Sequence, residues 1–413
     1  MNRFTLQYLE GNPTLAERPQ NTVRHRLRAA FQRLPITDLL VGWNLPPVLL
    51  ETCQQEAQQA GARLFRWHPL LTGDGAFMPR AEWQTVGLDG RAVAGFQNMP
   101  EFTFVCPNRP AVRQAVLEHL NEVTRQGDYQ GVFLDRVRFP SPAASASPPA
   151  RTLACFCKDC QQAAAAEGLD LACAQQAIAH LASSPTGKRL LLQALLDPHA
   201  PLDPPAPDQQ ALQAFLAFRQ RSVTRFVADT AALARARGLA IGLDCFSPCL
   251  ARMVGQDLSA LGAHCDWIKI MCYAHTLGPA GLPFELLGLF DWLAAESGAP
   301  EAEILGWLSS ASRLPLPASR AGLRSPGLPP EALANEVRRG RSQDVLRSTS
   351  LRQQLLAGIE LVEMPGITHL TQAQVQADLA AVRAAGADGL ALSWDLWEMP
   401  LERLDWVRAA WFQ

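Results

Sequence analysis

The 413-residue sequence has no excess of charge of either sign, because 37 Lys and Arg residues stand against 39 Asp and Glu residues and give a formal net charge of −2. Proteins that bind nucleic acid or an anionic membrane through their overall charge are usually basic, so no nucleic-acid partner and no membrane partner is predicted. Charged residues make up 18% of the chain and hydrophobic residues 48%, a composition that excludes extensive disorder and predicts a sizeable buried core.

Long apolar runs are absent as well. The N-terminal stretch MNRFTLQYLEGNPTLAERPQ lacks the apolar segment of a signal peptide, and no run reaches the roughly 20 residues that span a bilayer. Ten cysteines in so long a chain are not the disulfide framework of a small secreted domain. We therefore expect a cytoplasmic protein with reduced cysteines.

Several motifs of cofactor and metal chemistry are also missing. No GxGxxG or GxxxxGK[ST] fingerprint follows a predicted strand, so the common open-sheet nucleotide binders are disfavoured and no organic cofactor is predicted. Neither HxH nor HExxH occurs, which counts against a catalytic metal ion.

Eight short apolar segments are present, and each is followed by material with helical spacing of its apolar residues. The predicted strands are Phe4–Glu10, Asp38–Asn44, Arg63–Leu71, the segment beginning at Gly131, Ala240–Phe246, Trp267–Tyr273, Leu356–Glu363 and Gly389–Leu396. This eightfold alternation predicts a closed (β/α)8 TIM barrel rather than an open doubly wound sheet. We predict one barrel domain over residues 1–413, with a cap-like helical insertion at 140–206 after strand 4 and a second helical insertion at 274–350 after strand 6.

The segment GVFLDRVRFP, Gly131 to Pro140, carries the first functional prediction. Its apolar run ends in Asp135, and Arg136 and Arg138 follow closely, as expected for a buried parallel strand whose last residues emerge into a site. In a (β/α)8 barrel the active site lies at the C-terminal ends of the strands. Asp135 is therefore the first candidate for a catalytic carboxylate.

Alternation along the strands separates an aliphatic face from a face of small and polar residues, with a possible slip of one residue per strand. Polar side chains that converge from six strands are costly to bury without a purpose, which favours a functional pocket over an internal network of salt bridges. Lys269 fits either role, as a substrate contact or as a structural partner of a carboxylate. The predicted inward polar residues are Arg66, His68, Asp135, Asp244, Lys269, Tyr273, Glu360 and Asp395.

Several carboxylates beside aromatic residues suit hydrolysis of a glycosidic bond, which needs one protonated carboxyl group and one ionised carboxylate. We predict Asp135 as nucleophile or acid with Glu360 or Asp244 as its partner, and a slip in strand 7 would put Glu363 in place of Glu360. The predicted substrate contacts are Arg66, His68, Asn108, Arg138, Lys269, Tyr273, Trp394 and Asp395. Tryptophans near strand ends that could stack on a sugar are Trp43, Trp67, Trp83, Trp394 and Trp397.

The predicted function is hydrolysis of a small glycoside or oligosaccharide, and two alternatives stay open. One is a carbohydrate-binding barrel without catalysis. The other is a metal-dependent hydrolase or lyase, which is disfavoured because His68 is the one histidine placed on the inward face. A homo-oligomer also stays open.

The cysteines form one recognisable cluster. CFCKDC supplies Cys155, Cys157 and Cys160, and Cys106 in FVCPNRP could supply a fourth thiolate, which together would complete a closed, structural zinc site. The alternative is a set of reduced cysteines packed in a small helical cap. The cysteines without ligand spacing are predicted to be small core residues: Cys53, Cys173, Cys245, Cys249, Cys265 and Cys272.

The stretches CPNRPAVRQAVLEHL, YQGVFLDRVRFP and CFCKDC together resemble a segment of uncharacterised bacterial glycoside hydrolase-like barrels, and FSPCLARMVGQDL, DWIKIMCY and SWDLW resemble further parts of them. The cysteine arrangement is similar to the four-cysteine zinc site of glycoside hydrolase family 42 β-galactosidases. That family has Asn-Glu at the end of strand 4, where this chain has Asp135. The resemblance implies a (β/α)8 hydrolase scaffold and the zinc ligands, and it implies no β-galactosidase activity.

Overall fold

The structure, a computed structural model, describes residues 2–8, 18–42, 45–73, 77–144, 149–197, 207–295, 297–342 and 353–412. Eight parallel strands pair in chain order, and β1 pairs with both β2 and β8, which closes the barrel. The strands are β1 (Arg3–Tyr8), β2 (Asp38–Val41), β3 (Arg63–Pro69), β4 (Gly131–Asp135), β5 (Ala240–Cys245), β6 (Trp267–Met271), β7 (Gln354–Glu360) and β8 (Gly389–Ser393). The predicted (β/α)8 TIM barrel is confirmed.

Helices alternate with these strands. They are α1 (Gln20–Arg33), α2 (Pro47–Gln59), α3 (Pro110–Val123), α4 (Pro149–Thr152), α5 (Lys158–Ala166), α6 (Leu171–Ala182), α7 (Pro185–Leu196), α8 (Pro207–Ala236), α9 (Pro248–Ala251), α10 (Leu258–Gly262), α11 (Leu282–Ala294), α12 (Glu301–Ser312), α13 (Arg320–Arg324), α14 (Pro330–Ser342), α15 (Gln372–Ala384) and α16 (Glu402–Phe412). Helices α4 to α7 fall within 140–206 and α11 to α14 within 274–350. The single-domain organisation and the cap-like role of the first stretch stay predictions.

Helix α3 shows how the local sequence positions the site. Pro110 occupies its first turn, where the missing N–H group costs nothing. Its buried residues Val112, Val116, Leu120 and Val123 recur at helical spacing and form one apolar face. Burial of side chains of this size contributes about 1.5–3 kcal/mol each relative to exposure. This packing fixes the helix that leads into β4. No helix in the described part of the chain is long and apolar enough to cross a membrane.

Aromatic rings fill the barrel interior below the site. The interior cluster consists of Leu40, Phe65, Trp67, Phe133, Trp267 and Leu356. The rings of Phe133 and Trp267 stack with their centroids 5.0 Å apart and their planes 9° apart. A Cβ atom at Gly131 would lie 2.1 Å from the Phe65 ring, and one at Gly242 would lie 2.3 Å from the Trp267 ring. Because only glycine fits beside these rings, large and small residues alternate around the barrel axis.

The same packing corrects one prediction. Phe65 and Trp67 of β3 belong to the interior cluster, so Arg66 and His68 lie on the opposite face of the strand. The ring of His68 lies 5.5 Å from that of His119 in α3, and Arg66 interacts with the hydroxyl group of Tyr129. The prediction that Arg66 and His68 face the barrel axis is wrong, because the rings of Phe65 and Trp67 occupy the interior, with Phe65 beside Gly131.

Candidate active site

A cavity of about 210 Å³ lies above the aromatic interior, at the C-terminal ends of the strands. We call it the mouth cavity. It is lined by Gln7, Trp67, Phe102, Asp135, Arg136, Arg138, Asp244, Lys269, Met271, Tyr273, Pro279, Ala280 and Trp394. The structure therefore brings together two of the predicted carboxylates, Asp135 and Asp244, with four of the predicted substrate contacts.

Asp135 ends β4 and is half-buried. One carboxylate oxygen, Oδ2, accepts a hydrogen bond of 3.1 Å from Trp67 Nε1, and the other, Oδ1, accepts one from the backbone N–H of Arg136. Arg136 has a φ of +52°, a left-handed conformation that non-glycine residues seldom adopt outside functional sites and tight turns. Both oxygens of Asp135 are thus held in place by N–H donors, which suits the ionised, acceptor-only form of the carboxyl group.

Asp244, near the end of β5, lies in a different environment. Its side chain is 3% exposed, and Oδ2 lies 2.9 Å from Lys269 Nζ. Its other oxygen, Oδ1, is buried and has no hydrogen-bond partner among the described residues. Burial raises the pKa of Asp244 to about 7, with a further contribution from the charge of Asp135 and against the opposing effect of Lys269. Asp244 can therefore hold a proton close to neutral pH.

Lys269 on β6 is 1% exposed and fully engaged. Its ammonium group donates to Asp244 Oδ2 at 2.9 Å and to Gln7 Oε1 at 3.1 Å, and it also interacts with Tyr273. Burial opposes its charge, but Asp244 and Tyr273 outweigh burial and raise the pKa of Lys269 above its ordinary value. Lys269 is therefore a fixed cation that orients the carboxyl group of Asp244.

Gln7 on β1 was not among the predicted site residues. Its Oε1 accepts hydrogen bonds from Lys269 Nζ and from the hydroxyl group of Ser393 on β8, so it links two strands at the level of the site. The alternation of polar Thr5 and Gln7 with apolar neighbours in FTLQYLE carries the signal that could have identified it.

Two of the predicted tryptophans line the mouth cavity. Trp67 lies beside Asp135, and the half-buried ring of Trp394 meets that of Tyr273 edge-on with centroids 6.0 Å apart. Trp83 instead packs against Phe77, with ring centroids 6.2 Å apart. The guanidinium of Arg18 lies over the ring of Trp397, with its Cζ atom 3.6 Å from the ring centroid. Trp43 falls outside the described residues.

Glu360 does not line the mouth cavity, although strand register places it on the inward face of β7 opposite Ser393. Its Oε1 accepts a hydrogen bond of 2.7 Å from the backbone N–H of His275, in the loop after β6. Burial raises its pKa to about 7, against the opposing charge of His275. The imidazole Nε2 of His275 lies 2.8 Å from Asp378 Oδ2. Glu360 therefore holds this loop.

Three other predicted residues also lie away from the cavity lining. Glu363 is engaged by Arg403 and by His369. Asp395 accepts a hydrogen bond of 3.2 Å from the backbone N–H of Trp397 and caps the short 3₁₀ helix Leu396–Glu398. Asn108 donates its amide to Cys160 Sγ at 3.3 Å and to Ser222 Oγ at 3.0 Å, so it belongs to the cysteine cluster.

A larger cavity of about 620 Å³ lies beside His275. It is lined by His275, Leu277, Arg324, Ser325, Pro326, Gly366, Ile367, Thr368, His369, Thr371 and Gln374. No described carboxylate lines it, so it lacks the paired acid and base that the mouth cavity has.

The four predicted cysteine ligands are buried together. The sulfur atoms of Cys106, Cys155, Cys157 and Cys160 all lie within 4.8 Å of one another, and the Cys106–Cys160 pair is 3.4 Å apart. A tetrahedral zinc site with Zn–S bonds of about 2.3 Å places its sulfur atoms roughly 3.8 Å apart, so the arrangement fits. The cluster could therefore hold a metal ion.

A backbone N–H group and a buried cation lie beside the sulfur atoms of the cluster. The backbone N–H of Val86 donates to Cys155 Sγ at 3.3 Å. The guanidinium of Arg219, fully buried, donates to the carbonyl oxygens of Ala154 and Met253 and interacts electrostatically with Cys155 and Cys160. Hydrogen bonds among the thiols lower the pKa of Cys157, whereas the neighbouring thiols and burial raise the pKa values of Cys106 and Cys160, so without a metal ion the thiols share their protons unequally. A buried cation beside several thiolates partly balances the charge that a tetrathiolate metal site carries.

All ten cysteines are free. Those outside the cluster are buried as predicted, with one exception. Cys173 is exposed on α6, beside the N-cap Asp170, so its predicted place in the core is wrong. The thiol of Cys173, within the stretch 140–206, therefore lies at the surface.

No protein-family model and no curated protein matches the chain. Among solved structures, α-L-fucosidase isoenzyme 2 from Paenibacillus thiaminolyticus is similar with a TM-score of 0.55 and 12% identity, over 100% of this chain and 49% of that chain. The glycoside hydrolase domain of PgaB (BpsB) from Bordetella bronchiseptica gives a TM-score of 0.47 and 11% identity, over 99% and 95%. The catalytic domain of β-amylase from Paenibacillus polymyxa gives 0.46 and 11%, over 98% and 94%. At such identities the similarity establishes the barrel fold alone.

Proposed function

We propose that this protein is a glycoside hydrolase that cleaves a small glycoside in the mouth cavity, with Asp135 and Asp244 as its paired carboxylates. The observation that carries the proposal is the contrast between these two groups within one cavity. Asp135 accepts hydrogen bonds from N–H donors on both oxygens, whereas Asp244 has an unpartnered oxygen and a pKa raised to about 7 by burial. Two carboxyl groups kept in different protonation states are what glycosidic bond cleavage requires.

In this mechanism Asp244 is the general acid. As the bond between the anomeric carbon and the glycosidic oxygen breaks, the proton of Asp244 passes to the leaving oxygen. Asp135 acts as the ionised partner, either as the nucleophile or as the base that activates water. Lys269 keeps the carboxyl group of Asp244 in one orientation. The side chains of Trp67 and Trp394 offer apolar walls for a sugar ring.

The size of the cavity supports a small substrate. Its volume of about 210 Å³ lies below the roughly 300–1,000 Å³ of pockets that enclose drug-sized ligands. One sugar unit fits such a space better than a segment of a polymer. A small glycoside, or the terminal unit of a short oligosaccharide, is therefore the proposed substrate.

For the cysteine cluster we propose a structural zinc ion held by Cys106, Cys155, Cys157 and Cys160. Four thiolates leave no coordination position for water, so the ion would stabilise the fold and take no part in the reaction. Among the described residues, this cluster is the one group of three or more potential ligands that could hold a metal ion. That observation favours the paired carboxylates over the alternative of a catalytic metal. A cytoplasmic location remains a prediction.

The substitution Asp135→Asn tests the proposed function. On a panel of 4-nitrophenyl glycosides, we expect the wild type to hydrolyse at least one substrate and Asp135→Asn to lower kcat by about 10²–10⁴-fold, because the ionised carboxylate is lost. Asp395→Asn is the matched control, since Asp395 caps a 3₁₀ helix outside the cavity lining. We expect it to stay within a few-fold of the wild type.

Two results would contradict the proposal. If Asp135→Asn hydrolysed the substrate as fast as the wild type, Asp135 would not be catalytic. If the wild type bound sugars, as measured by calorimetry, but turned over none of the panel, the alternative of a carbohydrate-binding barrel without catalysis would replace the hydrolase.

A further inference from the structure

One cation of the mouth cavity is unlike the others. Arg138 is 6% exposed and lines the cavity. Its Nη1 donates to the carbonyl oxygen of the adjacent Phe139 at 3.0 Å, while its Nε is buried without a hydrogen-bond partner among the described residues. The guanidinium carbon of Arg138 lies over the rings of Phe104 and Phe246, 4.4 and 4.5 Å from their centroids. These rings attract its charge but cannot accept its in-plane hydrogen bonds.

The remaining cations of the cavity already have partners. Lys269 is paired with Asp244 at 2.9 Å. Arg136 donates to Thr72 Oγ1 and to the carbonyl oxygen of Glu101. Arg138 instead has no ion pair with a described carboxylate, although Glu285, Asp135 and Asp244 act on it from a distance. A buried guanidinium without an anionic partner is uncommon, because removing a charge from water is costly unless it is paired.

The carboxylate with the largest effect on Arg138 is occupied elsewhere. Glu285, on α11, is fully buried; its Oε2 accepts a hydrogen bond from the hydroxyl group of Ser141, and its Oε1 accepts one of 2.9 Å from the backbone N–H of Ala280. It therefore holds the two loops beside the cavity and leaves the guanidinium fork of Arg138 available to a ligand.

We propose that the substrate is a glycoside whose sugar carries a carboxylate, a hexuronic acid, and that Arg138 binds this group in the mouth cavity. The inference rests on the proposed function and specifies its substrate class. The planar guanidinium matches a carboxylate through two parallel N–H···O bonds, which a neutral hydroxymethyl group cannot accept in the same way.

The charges of the cavity agree with this proposal. Three cations, Arg136, Arg138 and Lys269, line it with two carboxylates, Asp135 and Asp244. Even with both carboxylates ionised, the cations in the lining outnumber the anions by one. One added carboxylate at Arg138 reduces this imbalance and partners the cation that lacks an ion pair.

Binding of the free sugars tests the proposal without relying on turnover. Calorimetry would compare D-glucuronate, D-galacturonate and D-mannuronate with D-glucose, D-galactose and D-mannose. We expect at least one hexuronate to bind the wild type about 10-fold or more tightly than its neutral counterpart, and Arg138→Gln to remove that preference. Arg26→Gln is the control, because Arg26 binds backbone carbonyls such as that of Leu396 outside the cavity lining, and it should retain the preference.

Three results would overturn the proposal. In the first, the neutral sugar binds as tightly as the hexuronate, or more tightly, in all three pairs. In the second, the preference for the hexuronate survives in Arg138→Gln. In the third, hexose 6-sulfates or 6-phosphates bind more tightly than hexuronates. If Arg138→Gln does not fold by circular dichroism, Arg138→Lys keeps the charge without the fork, and we expect it to lose most of the preference.

The proposed function can fail separately. Binding of a hexuronate without hydrolysis of any 4-nitrophenyl uronide would reject the hydrolase and retain Arg138 as a carboxylate site. Faster hydrolysis of neutral glycosides than of the matched uronides would reject the carboxylate site and retain the hydrolase.

Discussion

Replacing Asp244 with Asn changes two properties that depend on the same proton. Burial raises the pKa of Asp244 from 3.8 to about 7, so between these values the folded protein holds a proton that the unfolded chain has released. The free energy of unfolding therefore falls as the pH rises through this window. At 1.36 kcal/mol per pKa unit, the fall attributable to Asp244 is about 4 kcal/mol. Asp244→Asn cannot titrate, so we expect its stability to depend less on pH by about this amount.

Glu360 provides a matched comparison, because burial also raises its pKa to about 7 but it lies outside the cavity lining. Guanidinium unfolding, followed by tryptophan fluorescence between pH 4.5 and 7.5, should show a flatter stability profile for both Asp244→Asn and Glu360→Gln. The pH dependence of kcat/KM should separate the two. In the wild type, kcat/KM should fall above about pH 7, where the general acid loses its proton.

For Asp244→Asn the rate should be measured on a 2,4-dinitrophenyl glycoside, whose leaving group needs no proton. We expect this variant to retain activity on that substrate without the alkaline decline, and Glu360→Gln to keep the decline on ordinary aryl glycosides. The reasoning is refuted if Asp244→Asn keeps the pH profiles of the wild type for both the free energy of unfolding and kcat/KM. Loss of the alkaline decline in Glu360→Gln instead would identify Glu360 as the partner of Asp135.

The remaining predictions concern the metal cluster and the aromatic wall. Metal analysis should find about one zinc per chain in the wild type and a clear loss of zinc in Cys160→Ser. The control Cys173→Ser, at an exposed cysteine, should retain the zinc. Equal zinc contents in the two variants would rule out the cluster as the site. Trp67→Phe removes the N–H donor to Asp135, and we expect kcat/KM to fall by about 10-fold or more. Trp83→Phe, outside the cavity lining, should not lower it comparably, and an equal loss in both would contradict this role.

The sequence predicts the barrel and the inward faces of several strands because the pattern is local. In β5, Gly242 and Asp244 alternate with Ile241 and Leu243. One face of the strand therefore carries small or polar residues, and the other carries aliphatic ones. The run ending in Asp135 similarly locates the end of β4 at the site. Each of these features is contained within about six residues.

Strand β3 could not be assigned in this way. RLFRWHP alternates two aromatic residues with two polar ones, and a polar inward face was expected as on the other strands. The outcome depends on space beside the neighbouring strand, where Gly131 leaves room for the ring of Phe65. That information lies on β4 and is absent from β3 itself.

The choice between Glu360 and Asp244 is also non-local. Strand alternation puts both carboxyl groups on inward faces, at strand ends. The loop after β6 decides between them, because the backbone N–H of His275 binds Glu360 while Lys269 holds Asp244 beside the cavity. The path of a loop of this kind follows from packing that alternation along strands does not encode.

The stacked rings of Phe133 and Trp267 have a consequence for how the substrate range of this barrel can change. They form a floor under the site, and truncating either ring to alanine would cost about 3–5 kcal/mol of stability. The depth of the mouth cavity is therefore tied to the stability of the fold. Phe102 and Pro279, which also line the cavity, lie outside the eight strands. Variation in these connecting segments can reshape the entrance while the barrel beneath it stays the same.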